Sequence, residues 1–311
     1  MEILKDLLFI VVGIYCVING ANLLTKGAVA LAERFRMPQV IIGLTIVALG
    51  TSLPELCVSL MSALKGTADM AVGNVVGSNI FNTLFIVGIA AILMPITVSR
   101  LTVRRDMVFA LAASVLLLCM CWNGTLARWE GFVLLLLLVV YMLYTIRQSR
   151  LENTAEESDR QLVPWMKTLS WLVAGVLLLP VGSYVFVDHA GHLALALGMS
   201  EAVVGLTIVA GGTSLPELAT TIVAARKGES GIAIGNVLGS NVLNILFILG
   251  LTSLISPLYI SGITMVDYGM LIASMAVFLL FSWTRFKIER WEGIVLTAMF
   301  VGYLSWLIYN I

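Results

Sequence analysis

Charged residues are scarce in this sequence. Eighteen Lys and Arg and eighteen Asp and Glu make up only 12% of the 311 residues, whereas 60% of the chain is apolar. A soluble domain carries about 25% charged residues, so this chain has too few to cover a surface in water. We therefore expect a protein that is solvated mainly by the lipid bilayer. The formal net charge of zero gives no indication of a nucleic-acid partner.

Cysteine and histidine are sparse as well. The four cysteines lie in apolar stretches without a histidine at zinc-site spacing, so they indicate neither a disulfide framework nor a zinc site. The two histidines, His189 and His192, are predicted to lie together in a loop at the membrane interface, without a role in binding. The sequence indicates no cofactor and no protein partner. The cysteines are Cys16, Cys57, Cys119 and Cys121.

Charge-free stretches are abundant. A bilayer core about 30 Å thick needs about 20 apolar residues of helix. Glu55 and Glu217 alone interrupt the interior of a stretch, and the first stretch, which lacks a cleavage site, is expected to be a retained helix. Ten stretches fit: 7–25, 37–64, 70–99, 107–127, 131–146, 168–187, 202–225, 230–266, 268–284 and 293–311.

Lys and Arg are distributed unevenly between the two sides of these spans. If the N-terminus lies outside, the inside loops carry 14 of them and the outside segments carry 3, with Lys26 ambiguous. Cytoplasmic loops are rich in Lys and Arg, so we predict that both termini lie outside. The longest polar segment, 147–161, is then an inside loop.

The chain contains an internal duplication. Residues 43–82 and 205–244 are identical at 24 of 40 positions, without gaps, at an offset of 162. Five spans per half is an odd number, so two equivalent halves must point in opposite directions, which is a transporter architecture. We predict an all-α polytopic membrane protein with ten transmembrane helices in two inverted five-helix repeats, in which helices two and seven are broken. The repeats are 1–146 and 164–311, joined by a cytoplasmic linker at 147–163.

The two intramembrane glutamates belong to a repeated TSLPE segment, at 51–55 and 213–217. Proline interrupts helical hydrogen bonding, so backbone carbonyls near the two segments are expected to be free. These carbonyls, the Thr and Ser hydroxyls and the two carboxylates form a dianionic site built only from oxygen. Such a site suits Ca²⁺, whereas a transition metal prefers His or Cys.

A second motif, GNxxGSNxxN, follows in both halves. At helical spacing Asn74, Ser78 and Asn82 form one polar stripe, and its copy is Asn236, Ser240 and Asn244. The stripe either holds helices together or completes the cation site, with Ser78 and Asn82 facing Glu217 and Glu55. Asn79 and Asn241 are rotated off the stripe, and we expect them to contact a neighbouring helix.

Together, GTSLPE followed by GNxxGSN in both halves of a ten-span protein resembles the calcium/cation antiporter superfamily, in its prokaryotic sodium/calcium exchanger branch. The resemblance is dense over the 80 residues of the two repeats. It implies a transporter of the inner (plasma) membrane of a prokaryote that exchanges Na⁺ for Ca²⁺ by alternating access. The ions are then its cargo, and four ion sites are arranged in a diamond.

The resemblance also implies roles for particular residues. Glu55 and Glu217 would bind Ca²⁺ with the carbonyls of Thr51 and Thr213. Asn82 and Asn244 complete the predicted set from the polar stripe. The flanking Na⁺ sites would be completed by Ala48, Ser52 and Ser240 and by their mates Ala210, Ser214 and Ser78.

Two departures from related branches bear on the coupling ion. Potassium-dependent members often have Asp at the position of Asn244, so Asn argues against potassium dependence. Proton-coupled members usually have Glu where this chain has Gly77 and Gly239. Three alternatives remain open: a Ca²⁺/H⁺ antiporter with the same site, a cation channel, and an intramembrane hydrolase, although no His or Lys base accompanies the serines.

The uneven distribution of Lys and Arg can be tested by labelling. Single cysteines are placed at Glu156 and Asn310 on a background from which the native cysteines are removed. In intact cells, an impermeant thiol reagent should label position 310 and leave position 156 unlabelled. The opposite pattern would overturn the orientation.

Overall fold

The structure is a computed structural model that describes residues 2–152, 162–197 and 210–309. Helices account for most of these residues, which confirms the all-α class. The helices are α1 (Glu2–Phe35), α2 (Gln39–Thr51), α3 (Leu53–Leu64), α4 (Ala68–Leu93), α5 (Val108–Cys121), α6 (Arg128–Glu152), α7 (Trp165–Ala196), α8 (Ala210–Thr213), α9 (Leu215–Arg226), α10 (Ser230–Ile255), α11 (Met265–Arg285) and α12 (Arg290–Tyr309).

Seven of the described helices are long and apolar enough to cross a membrane: α1, α4, α6, α7, α10, α11 and α12. The bent pair α2 and α3 raises the number to eight. Two of the ten predicted spans do not pass the same test in the described residues. Helix α5 has only 14 residues, and the predicted span 202–225 begins before the described part of α8. The chain is thus a multi-pass membrane protein.

Both predicted helix breaks are present. Helix α2 gives way to α3 at Ser52, with φ −85° and ψ 11°, and the axis bends by 50°. Helix α8 gives way to α9 at Ser214, with φ −90° and ψ 9°. Pro54 and Pro216 lie in the first turns of α3 and α9, where a backbone N–H would have no acceptor within the same helix. The carbonyls four residues back, at the ends of α2 and α8, therefore lack a donor from these two positions.

Wide π-helical turns interrupt the helices that adjoin these breaks. They occupy Gly43–Val47 in α2, Phe81–Ile86 in α4 and Asn244–Leu249 in α10. A further π turn, Thr102–Met107, leads into α5. Such turns are frequent at functional sites because they shift the register of the side chains that follow.

Two predicted loop positions are wrong. His189 and His192 lie on α7, which continues to Ala196, rather than in a loop. Helix α6 continues to Glu152 and so enters the predicted linker. The reason is the same in both cases. Charge-free stretches mark the part of a helix that lies in hydrocarbon, but a helix satisfies its own backbone hydrogen bonds and can continue beyond the bilayer core.

Helices α1 and α7 form a close antiparallel pair along their length. Cβ atoms built on Gly13, Gly20 and Gly27 would lie 2.8, 3.0 and 2.7 Å from atoms of Phe186, Leu179 and Leu172, respectively. These glycines recur every seven residues on α1, and α7 contributes Gly175 and Gly182 to the same contact. Small residues let helix backbones approach closely in a membrane, where dispersion contacts drive association.

Four two-residue strands connect the halves. They are β1 (Ile96–Thr97), β2 (Thr125–Leu126), β3 (Leu258–Tyr259) and β4 (Lys287–Ile288). Strand β1 pairs with β4, and β2 pairs with β3, both antiparallel. At the offset of 162 residues, β1 corresponds to β3 and β2 to β4. Each strand therefore pairs with a strand of the other half, and the two pairings are equivalent.

The glycine contact between α1 and α7 predicts a steric effect. Gly13→Leu should destabilise the protein by about 1–3 kcal/mol, the usual cost of overpacking, because backbone atoms of α7 occupy the space of the new side chain. Thermal unfolding in detergent measures this cost. Gly302→Leu on α12 is the matched control, because nothing in the described chain lies within 4 Å of a Cβ built there. An equal effect of the two changes would contradict this account of the helix contact.

Candidate cation site

The two glutamates lie just after the two helix breaks. Glu55 is in the first turn of α3 and Glu217 is in the first turn of α9. Both residues are 0% exposed. Neither forms an ion pair with a Lys, Arg or His of the described residues. A buried carboxylate is costly unless it is hydrogen-bonded, protonated or balanced by a cation, so the groups around these two carboxylates determine which of these applies.

Serines at the two helix breaks donate hydrogen bonds to the glutamate of the opposite half. Ser52 Oγ donates to Glu217 Oε1 over 2.8 Å, and Ser214 Oγ donates to Glu55 Oε1 over 3.0 Å. Both the donors and the acceptors are 162 residues apart. Each glutamate is therefore oriented by the break of the opposite half, and the two carboxylates belong to one site.

Four buried oxygen atoms of the predicted site residues lack a hydrogen-bond donor among the described residues. They are Oε2 of Glu55, Oε2 of Glu217, Oδ1 of Asn82 and Oδ1 of Asn244. Each parent residue is 0% exposed. Buried acceptors are nearly always satisfied, and exceptions commonly mark a site that takes an ion or water. The four atoms again form two pairs related by the offset of 162.

The amide groups of the asparagines fix these oxygens in place. Asn82 Nδ2 donates to Asn241 Oδ1 over 3.2 Å, and Asn244 Nδ2 donates to Asn79 Oδ1 over 2.9 Å. Asn79 Nδ2 also donates to the Asn241 carbonyl over 3.1 Å. Asn79 and Asn241 thus join α4 to α10, as expected. Since the Nδ2 groups of Asn82 and Asn244 are engaged in this cluster, their side-chain oxygens point elsewhere.

Asn74 and Asn236 hold helices together, which is one of the two functions predicted for the polar stripe. Asn74 Nδ2 donates to the main-chain carbonyl of Glu55 over 3.2 Å and to Ser59 Oγ over 2.9 Å. Asn236 Nδ2 donates to the carbonyl of Glu217 over 3.3 Å and to Thr221 Oγ1 over 3.1 Å. Each asparagine therefore holds the helix that carries a glutamate, with the same sequence spacing in the two halves.

Hydroxyl groups of the two halves are not arranged alike. Ser240 Oγ lies 3.0 Å from Ser52 Oγ, 3.3 Å from Glu217 Oε1 and 3.5 Å from Thr51 Oγ1. Thr51 Oγ1 also donates to Asn236 Oδ1 over 3.1 Å. Ser240 thus lies in a closed cluster. Ser78, its counterpart in the first half, lines a cavity instead.

The cavity reaches the site from one side. It has a volume of about 660 Å³, and its polar lining residues are Asn74, Ser78, Thr213, Asp267 and Tyr303. A Cβ built on Gly77 would meet no described atom within 4 Å, whereas one built on Gly239 would lie 2.6 Å from Ala48 Cβ. The side of Ala48 is therefore closed. Ala210, the counterpart of Ala48, begins α8, but its side chain lies outside the described part of the structure.

One of the backbone carbonyls that were predicted to be free accepts a hydrogen bond from a side chain. Pro216 leaves the carbonyl of Gly212 without its helical donor, and Ser183 Oγ on α7 donates to it over 2.5 Å. The prediction of free carbonyls is therefore wrong at Gly212. The equivalent position on α1 is Ala21, which has no hydroxyl group. Pro54 likewise has no backbone N–H to donate to the carbonyl of Gly50.

Comparison with known proteins bears on this arrangement. The model of the family described as "Sodium/calcium exchanger protein" matches residues 5–147 and 167–309. The chain belongs to the sodium/calcium exchanger family. The second match begins and ends 162 residues after the first, which is the offset of the sequence repeat.

Relatives of known name support this membership. The chain is 38% identical to the inner membrane protein YrbG of Escherichia coli, over 96% of this chain and 95% of that protein. It is 32% identical to the sodium/calcium exchanger MaX1 of Methanosarcina acetivorans, over 98% and 99% of the two chains. A structure of the sodium-calcium exchanger NCX_Mj, soaked with Na⁺ and Sr²⁺, is similar with a TM-score of 0.86. It is 30% identical in sequence and covers 97% of this chain and 99% of that chain.

Family membership defines the class of this protein. Exchangers of this family handle Na⁺ and Ca²⁺ as substrates, and the chain is a membrane transporter rather than an enzyme. The hydrolase alternative is therefore wrong. The buried oxygens of Glu55 and Glu217 are therefore candidate ligands for a transported cation.

Proposed function

We propose that this protein exchanges Na⁺ for Ca²⁺ across the membrane by alternating access, with Glu55 and Glu217 as the central ligands. The observation that carries the proposal is the group of four buried oxygens without a donor, of which two belong to uncompensated carboxylates. A cation among them would satisfy the free oxygens and balance the buried charge in one step.

The ligand chemistry favours Ca²⁺ as one of the transported ions. In the described residues, the side chains that hydrogen-bond to Glu55 and Glu217 carry hydroxyl or amide groups. Histidine and cysteine are absent from the twelve predicted site residues. Ca²⁺ takes six to eight oxygens, and its affinity rises with the number of charged ligands. Glu55, Glu217, Asn82 and Asn244 supply four free oxygens, and the hydroxyls and carbonyls near Thr51 and Thr213 are available for the remainder.

The flanking positions suit Na⁺. Ser52, Ser240 and Ala48 meet on the closed side, and Ser78 and Thr213 lie on the side of the cavity. Na⁺ is close to Ca²⁺ in size and takes the same hard oxygen ligands, so several Na⁺ ions can neutralise the carboxylates in place of one Ca²⁺. Ser214 and Ala210 complete this set in the proposal.

We further propose ten spans in two inverted halves, 1–146 and 164–311, joined by a cytoplasmic linker at 147–163. The reciprocal strand pairings and the crossed serine–glutamate bonds support the inverted arrangement. In this arrangement α5 provides one span together with the preceding π turn. The segment that contains α8 and α9 provides another.

Alternating access requires a site that opens to one side at a time. A Cβ built on Gly43 would lie 2.9 Å from Gly235 Cα, so α2 and α10 are in backbone contact on the closed side. The cavity lies on the other side, near the start of α4 and Ile263. With both termini outside, as proposed from the Lys and Arg distribution, this cavity opens to the exterior.

Antiport follows from competition for the two negative charges. An empty dianionic site is costly to move through a low dielectric, whereas a site neutralised by either ion type is not. Protons could neutralise the same carboxylates, which is the basis of the Ca²⁺/H⁺ alternative. Gly77 and Gly239 supply no further carboxylate to accept protons, which favours Na⁺.

Removal of one carboxylate charge is the first test. Glu55→Gln and Glu217→Gln keep the shape of the side chain, and each should weaken Ca²⁺ binding about 100-fold or more, since uncompensated loss of a buried charge partner costs several kcal/mol. Ca²⁺ titration of the purified protein and ⁴⁵Ca²⁺ uptake into proteoliposomes measure the effect.

Glu292→Gln is the matched control for this charge removal. Glu292 is only 2% exposed, but its Oε2 accepts a hydrogen bond from the Glu289 N–H over 2.7 Å, which a glutamine oxygen can replace. Its Ca²⁺ uptake should stay close to that of the unmodified protein. Near-normal uptake by either Glu55→Gln or Glu217→Gln would show that the carboxylate is structural.

The coupling ion is tested with imposed gradients. Proteoliposomes loaded with Na⁺ and diluted into Na⁺-free medium should take up ⁴⁵Ca²⁺ at constant pH, and vesicles loaded with K⁺ should not. Lowering the pH on both sides should inhibit uptake, because protonated carboxylates bind neither metal. If a pH gradient alone drove uptake and the Na⁺ gradient had no effect, the assignment of sodium would be wrong while the assignment of the site remained.

A further inference from the structure

A second group of metal-ligating side chains lies at one end of the α1–α7 pair, apart from the buried glutamates. Asp6 on α1 faces His189 and His192 on α7, and their ligand atoms all lie within 4.8 Å of one another. Asp6 Oδ1 and His189 Nδ1 are 2.8 Å apart. The antiparallel register that brings Gly13 against Phe186 also brings Asp6 to this turn of α7.

The two histidines are held in different ways. Phe9 stacks on the His189 ring, with 4.5 Å between ring centroids and an interplanar angle of 9°. This contact fixes the ring beside Asp6. The His192 ring stands at 89° to the His189 ring, with centroids 6.1 Å apart. His192 is exposed, so its side chain is free to turn toward the other two ligands.

We propose that Asp6, His189 and His192 bind a divalent first-row transition metal ion such as Zn²⁺. Two imidazole nitrogens and one carboxylate oxygen are a common zinc ligand set, with water in the fourth position. Imidazole is a poor ligand for Ca²⁺ and Na⁺, so this site selects a different class of ion from the buried oxygens.

The existing geometry needs only a small adjustment to hold such an ion. Ligands at about 2.0–2.1 Å from a tetrahedral zinc lie about 3.3 Å from one another. The Asp6–His189 pair is already closer than this, and rotation of His192 brings in the third ligand. On binding, the ion lies between Asp6 Oδ1 and His189 Nδ1 in place of their direct contact, because each ligand must offer a lone pair to the metal.

The location gives the site a structural consequence. Asp6 lies in the first half of the chain and both histidines lie in the second. A bound ion therefore links α1 to α7 and fixes their register at the end of the glycine contact. Because the ion binds only the folded arrangement, it should also raise the thermal stability of the protein.

Zinc titration tests the proposal directly. The full chain is purified with a tag that lacks histidine, so that His189 and His192 remain its only imidazoles. Excess Ca²⁺ is present throughout to occupy oxygen sites. We expect one Zn²⁺ per chain by calorimetry. We also expect the ring-nitrogen resonances of both labelled histidines to shift together, and Tm to rise with Zn²⁺.

Substitutions then identify the ligands. His192→Gln is the leading variant because the ring is exposed and its loss does not disturb packing. His192→Gln and Asp6→Asn should each weaken Zn²⁺ binding about tenfold or more, since even an outer partner of a metal ligand is commonly worth that much. Asp188→Asn, a carboxylate on the same turn of α7 but outside the group, should bind as the unmodified protein does.

Two results would overturn the proposal. One is unchanged Zn²⁺ affinity in His192→Gln. The other is the absence of any shift in the two imidazole resonances at saturating Zn²⁺, which would leave Asp6 and His189 as an ordinary hydrogen-bonded pair. Neither result depends on Ca²⁺ transport, so this test is separate from those of the proposed exchange.

Discussion

A carboxylate withdrawn from water must be hydrogen-bonded, protonated or balanced by positive charge, and this molecule withdraws two of them, Glu55 and Glu217. The surrounding structure serves this constraint. Breaks at Ser52 and Ser214 place a hydroxyl on the opposite glutamate. Asparagines hold the helices that carry the glutamates, and they leave two of their own oxygens free. Among the described residues, this site therefore has more hydrogen-bond acceptors than donors, and the oxygens left without a donor are suited to binding a cation.

The two halves are equivalent in sequence but not in packing. The serine of the second half, Ser240, is enclosed by Thr51 and Ser52, whereas Ser78 of the first half faces a cavity. The same glycine motif therefore forms backbone contacts on α10 and leaves open space on α4. In the proposed mechanism this difference matters, because exchanging the packing of the two halves would close one side of the site and open the other.

The sequence predicted the elements whose cause is local. Pro54 and Pro216 determine where the helices break, and identical spacing determines which residues recur. Interactions between distant segments were not predictable in the same way. Ser183 donates a hydrogen bond to the Gly212 carbonyl because α7 passes beside α8. The function of Gly13, Gly20 and Gly27 depends on their packing against a single helix, α7, which the sequence of α1 alone does not specify. The positions of charged residues also did not predict the end of α7, because the last turns of this helix extend past the apolar stretch.

The short strands have a consequence for the origin of the chain. Strand β1 and its copy β3 form one type of strand, and β2 and its copy β4 form the other. Strand β1 pairs with β4 and β2 with β3, so each pair joins one strand of each type. A half-length chain would carry one strand of each type and leave both edges unpaired. Two identical half-length chains would satisfy all four edges by exchanging them. The duplicated chain thus has the bonding pattern of a two-fold homodimer whose subunits were joined by a covalent link, and each half still depends on its twin to complete its edges.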